Sequence, residues 1–218
     1  MAIVVADTNA AYKLFFFADK NIIPSQKINI NGQGEVIFHP IVKTELDSHL
    51  VAYATLKELG YKPSNMNIPA FIKNAPDQYF LDRLDKFITD NLCSELKTFD
   101  LNDSKFSKHH QVYENLRKKI QKVLHKSDYK GNAKTSQPSI EDYNVLYAAD
   151  IHDYKIVTND GILKKVAEAY LDDDKVLIAE DLIRAVYKND QSKQNDIDRA
   201  IDNATILGES ILASRIRS

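Results

Sequence analysis

IVVADTNAAYKLFFFA, residues 3–18, joins a four-residue apolar run to a helical pattern over 8–18, with Asp7 at the junction. Strand-type residues followed at once by an acid and a helix make the opening of a βα unit. The same arrangement recurs. Residues 36–39 are apolar and stop at Pro40; proline is favoured in the first helical turn, so a helix is expected over 41–59, closed by Gly60. Residues 154–158 read as a strand followed by Asn159, Asp160 and a helix over 161–170, and 176–179 as a last strand before a helix over 181–187. Such alternation implies a parallel sheet with helices on both faces. The expected class is α/β, a three-layer α/β/α sandwich with a central parallel sheet, whose ligands bind beyond the carboxyl ends of the strands.

Residues 27–34 form a polar, Gly-containing connection. The middle of the chain, about 61–137, reads as a helical insertion: 68–72, 79–92 and 106–124 have helical spacing and no segment is strongly strand-like. Residues 127–138 are polar and hold Gly131, so a loop is expected there. Ser139 and Asp142 form an S-x-x-D helix start for a helix running to about His152. Residues 191–218 read as a C-terminal amphipathic helix with Ile197, Ala200, Ile201, Ala204 and Ile206 on its apolar side, following a main domain of 1–190. It is a candidate dimer or partner helix, with packing on its own domain preferred. There is no internal repeat.

The 218 residues suffice for one α/β domain with an insertion, and 44% hydrophobic with 28% charged residues is ordinary for a globular protein. No stretch approaches the roughly 18–20 apolar residues of a membrane span. The N-terminus lacks a basic region and carries Asp7 in its middle, so it is read as a buried strand and helix rather than a signal peptide. Cys93 is alone, which excludes an intrachain disulfide and a Cys-based zinc site; the expected compartment is a reducing cytoplasm. Net charge is −2, but basic residues cluster: Lys105, Lys108, Arg117, Lys118, Lys119, Lys122, Lys126, Lys130 and Lys134 are opposed between 104 and 134 only by Glu114 and Asp128. His109, His110, His125, Phe106, Tyr113 and Tyr129 lie among them. Basic and aromatic residues together suit a phosphate backbone with exposed bases, and a solvated helix face accounts for the charges equally well.

Four acids sit at strand ends or in early helical turns: Asp7, Glu45, Asp142 and Asp160. Three of them have an ordinary explanation. Asp7 is placed to cap the following helix, Asp142 to favour a helix dipole, and Glu45 to sit on a helix surface. Two strand-end carboxylates in one parallel sheet, however, repel unless a cation or a proton lies between them. Thr8 and Asn9 are placed to orient Asp7, and Thr158 to donate to a neighbouring carboxylate. The adjacent His109 and His110 face different sides of a helix and make a poor ligand pair, and Asp172–Asp174 read as a solvated turn. No G-x-x-x-x-G-K-[ST], G-x-G-x-x-G or G-x-S-x-G motif is present. A phosphoaspartyl phosphatase needs D-x-D where this chain has Asp7 and Asn9.

The segments VVADTN, PIVKTEL, SIEDYNVLYAA and IVTND, in this order, resemble the PIN-domain (PilT N-terminus) nuclease family over about residues 1–60 and 138–185. The resemblance implies a PIN-like fold in which Asp7, Glu45, Asp142 and Asp160 hold Mg²⁺ or Mn²⁺, with Thr158 and Asn159 in support. A second registration puts Asn144 in the third acid position. It further implies two-metal-type activation of water for endonucleolytic hydrolysis of RNA, single-stranded rather than duplex, giving a 5′-phosphate and a 3′-hydroxyl. The roles it implies are toxin of a toxin–antitoxin pair, phage-defence effector, or RNA processing and decay, with a second copy or an inhibitory protein as further partners. The basic stretch would hold the strand. The rival readings are an RNA- or protein-binding module with a degenerate site and, against the late positions of Asp142 and Asp160, a receiver-type acid pocket.

Overall fold

A computed structural model describes residues 3–30, 34–62, 65–66, 68–98, 108–126 and 139–206. The chain is α/β: four parallel strands, β1 (Ile3–Ala6), β3 (Gly34–Phe38), β4 (Lys155–Val157) and β5 (Val176–Leu177), flanked by helices. The order across the sheet is β2-β3-β1-β4-β5, where β2 (Asn29–Ile30) is an antiparallel edge strand. β2 falls in the stretch read from the sequence as a polar connection; two residues are too few to show a period, and their pairing with β3 places them. The chain moves from β1 to one side, to β3, and then returns to β4 on the other side. Strand order therefore reverses between β1 and β4, and it is beyond the carboxyl ends of strands at such a switch point that open parallel sheets bind ligands. Val4, Val5 and Ala6 of β1 are fully buried, as a central strand covered on both faces requires.

The helices α1 (Thr8–Asp19), α2 (Pro40–Glu58), α6 (Ile140–His152), α7 (Gly161–Tyr170) and α8 (Ala179–Val186) follow the expected order within one to two residues. α1 is apolar on nearly every side, Lys13 excepted, and almost wholly buried, the state such a sequence demands; it packs against α2 and α8 and against two helices of later segments, α4 (Gln78–Asp90) and α9 (Gln191–Ile206). Gly60, at φ 80°, ends α2: its amide bonds Lys57 O at 3.0 Å and the Tyr61 amide bonds Leu56 O at 3.0 Å, a Schellman closure that only a left-handed residue allows. Ser139 and Asp142 form the expected capping box.

In the middle region α3 (Ala70–Lys73), α4 (Gln78–Asp90) and α5 (Lys108–Lys126) are helical, as the spacing predicts. Phe71 and Phe80 pack on Phe15 of α1, and Phe87 joins Phe15 to Phe38 of β3, with ring centroids 5.1–6.1 Å apart. Burying each ring stabilises by roughly 1.5–3 kcal/mol, so α3 and α4 share the core of α1. α9 (Gln191–Ile206) lays Ile197, Ala200 and Ile201 against the same body and contacts α1 and α8; the rest of the expected C-terminal helix lies outside the described residues. Among the described residues no helix is long and apolar enough to cross a membrane.

His39, fully buried, links this framework to the loop after α4. Its Nδ1 accepts from the Ile41 amide at 3.1 Å, capping α2, and its Nε2 donates to Lys97 O at 3.1 Å. Burial pushes its pKa down to about 4. A base with a depressed folded pKa stabilises fully above its unfolded value near 6.5, and that stability is lost as pH falls through 4. Its share is about 3 kcal/mol, at ~1.4 kcal/mol per pH unit. His39→Asn keeps a capping acceptor, so it should cost stability at pH 7 and lose that deficit by pH 4.5; parallel urea-unfolding curves across the range would refute the assignment.

Candidate active site

The sheet topology brings the four acids to one end of the molecule. Asp7 follows β1 and Asp160 follows β4, the two strands flanking the switch point, and these strands pair directly. Asp142 lies in the first turn of α6, which packs on both strands, and Glu45 in the second turn of α2, which packs on α6. The acids act on one another's charges. Asp142 and Asp160 both raise the pKa of Asp7; Asp160 and Glu45 raise that of Asp142; Asp160 and Glu141 raise that of Glu45.

Each carboxylate is also tied to neutral donors. Asp7 is buried; its Oδ1 accepts from the Ala10 amide at 2.6 Å, capping α1, and its Oδ2 accepts from the Thr158 hydroxyl. Burial, more than its neighbours, lifts its pKa to about 8. Thr158 Oγ1 also accepts from the Asp160 amide at 3.0 Å, so one buried hydroxyl joins the two strand-end acids. Asp160 Oδ1 takes the Ile162 and Leu163 amides at 2.7 and 2.8 Å, capping α7. Asp142 Oδ2 accepts from the Ser139 amide at 2.8 Å, and burial lifts its pKa to about 6. Glu45 Oε2 accepts from the Thr8 hydroxyl at 2.5 Å, and its pKa is raised first by burial. Three of the four acids therefore cap helices, the ordinary role, while sharing one electrostatic field. Asn144, the other candidate for the third acid position, is fully buried and donates to Ile140 O at 2.9 Å. Asn9, beside Thr8 in the first turn of α1, is exposed.

Among the described residues Asp7, Asp142 and Asp160 form no ion pair, and no three His, Cys, Asp or Glu side chains converge closely enough to hold a metal ion. The donor chemistry, carboxylate oxygens, suits a hard divalent cation.

Four further residues belong to this end of the molecule. His49 lies one turn beyond Glu45, with Nε2 4.0 Å from Glu45 Oε1 and Nδ1 3.2 Å from the Tyr12 hydroxyl. Glu180, at the start of α8, is buried and paired at 3.1 Å with the buried Lys13 of α1, and it accepts from Asn159 Nδ2 at 2.6 Å. The sequence carried a signal for the last pair: Lys13 is the lone charge between Thr8 and Ala18, in an otherwise apolar stretch of helix, and a buried ammonium needs a buried carboxylate.

The basic region is described in part. Lys105 lies outside the described residues, as do the side chains of Lys108 and Lys126. Arg117 pairs with Glu114 at 3.2 Å, while Lys118, Lys119 and Lys122 are exposed. Leu116 and Ile120 are the buried side of α5, which packs on α6 and α7. Lys119 Nζ sits 5.8 Å over the ring of Tyr170, the last residue of α7, whereas Asp160 caps its first turn. A ten-residue helix is about 15 Å long, so this part of the basic surface runs alongside the acids rather than over them. Compared with known proteins, the chain matches no family model, no curated protein and no solved structure.

Proposed function

We propose that this protein is a Mg²⁺- or Mn²⁺-dependent endoribonuclease of PIN-like, three-layer architecture acting on single-stranded RNA. The observation that carries the reading is the placement of Asp7, Glu45, Asp142 and Asp160 at the carboxyl end of the sheet: four acids from distant parts of the chain stand at one end of the molecule, where Thr158 joins Asp7 to the Asp160 amide, and among the described residues Asp7, Asp142 and Asp160 have no basic partner. Divalent ions there would be held by these four carboxylates. Bound, they supply positive charge to stabilise a phosphodiester under attack and acidify water at neutral pH. The chain's own contribution is positional. Thr158 holds Asp7 and the Asp160 amide together, Thr8 holds Glu45, and the α7 N-terminus fixes Asp160. Lys118, Lys119 and Lys122 would take the backbone of the flanking RNA. A role as a toxin or phage-defence effector follows only from the family resemblance.

A second reading, a binding module for RNA or protein with a degenerate site, is favoured by one observation: no three of the described acids converge. The two part on a single experiment. Labelled single-stranded RNA should be cut with Mn²⁺ and left whole with EDTA. Absence of both cleavage and calorimetric Mn²⁺ binding would favour the second reading.

A further inference from the structure

We infer that Lys13, Glu180 and Asn159 form a buried clamp whose task is to hold the Asp160 carboxylate at a set distance from Asp7. The inference rests on the metal-site reading of those acids.

Glu180 is a third strand-end acid. It follows β5 as Asp7 follows β1 and Asp160 follows β4. What separates it from the other two is its charge balance: Lys13 Nζ lies 3.1 Å from Oε1, both side chains are at most 4% exposed, and Asn159 Nδ2 donates to Oε2 at 2.6 Å. Its charge is already balanced by the Lys13 ammonium and its Oε2 holds Asn159, which makes it a positioning group for the β4–α7 connection.

The positions of the three residues define what they hold. Lys13 lies on α1, whose N-cap is Asp7. Asn159 immediately precedes Asp160 in the β4–α7 connection, and its Oδ1 accepts from the Ala179 amide at 3.3 Å while its Nδ2 donates to Glu180. The same connection is anchored on its other side by the Thr158 amide to Leu177 O at 2.9 Å and by Thr158 Oγ1 to Asp7 and the Asp160 amide. Asp160 thus sits between two attachments: the Thr158 hydroxyl binds it to Asp7 directly, and Asn159–Glu180–Lys13 binds it to the body of the same helix that Asp7 caps. Neither attachment uses a charge that a cation would need. Two mutually repelling carboxylates stay in place before a cation arrives only if their backbones are restrained, and this arrangement restrains both.

The test compares Asn159→Ala and Glu180→Leu, which remove the clamp, with the double variant Lys13→Met/Glu180→Gln, which keeps an acceptor for Asn159 and strands no buried charge. Calorimetric Mn²⁺ affinity should fall about 10- to 100-fold in the first two and stay within about threefold in the third. Amide hydrogen exchange, read without metal, should be at least tenfold faster at Asp160, Ile162 and Leu163 and unchanged in β1. A uniform rise in exchange, or parental exchange at these amides, overturns the clamp and assigns the three residues to general stability. A parent protein that binds no Mn²⁺ defeats the nuclease reading, while the exchange pattern still decides the clamp.

Discussion

Asp7→Asn is expected to make the metal-free protein more stable at pH 7.5 while removing Mn²⁺-dependent cleavage. Asp7 is fully buried, and burial followed by the charges of Asp142 and Asp160 raises its pKa to about 8, against hydrogen bonds from Thr158 and Ala10 that oppose the rise. An acid with a raised folded pKa contributes stability that is fully present below its unfolded pKa near 4 and is lost as pH rises through 8. Across that window the loss amounts to about 5 kcal/mol, at ~1.4 kcal/mol per pH unit. Asparagine is neutral at every pH and retains an oxygen for the Ala10 amide, but its amide fits the Thr158 hydroxyl less well. The net gain should be about 2–4 kcal/mol, or roughly 5–15 °C in Tm for a chain of this size. Asp142, with its pKa at about 6, adds to the same trend, and His39 works against it on the acid side. Cleavage should fall at least ~10³-fold, several kcal/mol of transition-state stabilisation. Thermal scans of parent and variant at pH 5 and 7.5 check the first part: a variant less stable than the parent at pH 7.5 would mean that Asp7 matters only as the cap of α1.

Lys13→Met should be the most destabilising single change at this end of the molecule. It leaves the Glu180 carboxylate, 1% exposed, without its ammonium partner. Breaking a buried ion pair from one side costs about 3–5 kcal/mol, because the stranded charge has lost its water without compensation. Adding Glu180→Gln to Lys13→Met removes that charge and should recover more than half of the loss, since a buried pair replaced by neutral groups of similar volume is often close to neutral. Denaturant unfolding of the parent, the single and the double variant forms the cycle. A single variant within 1 kcal/mol of the parent would show that the pair contributes little to folding.

Much of this architecture was legible without coordinates. β1 and α1 are announced by an apolar run, an acid and an apolar helix; α2 by Pro40 and Gly60; α6 by Ser139 and Asp142, whose capping box forms as the spacing predicts. These are local features, governed by backbone and capping preferences within a few residues. The candidacy of Asp7, Glu45, Asp142 and Asp160 was legible for the same reason, since each sits at a strand end or an early helical turn. β2 was not legible, because a two-residue edge strand exists only through its partner. Lys13 and Glu180 are 167 positions apart, and no periodicity connects them.

By itself, then, the sequence determined the α/β alternation, the helix starts and stops, and which acids stand at strand ends. The tertiary structure decided which of those acids interact. The reversal of strand order between β1 and β4 sets Asp7 beside Thr158 and Asp160, and α6 brings Asp142 within reach of their charges. It also decided that Glu180, alike in sequence position, is neutralised by Lys13 while Asp7 is left desolvated with its pKa raised. Charge balance depends on distances in space, and burial sets its magnitude; neither quantity is a property of neighbouring residues in the chain.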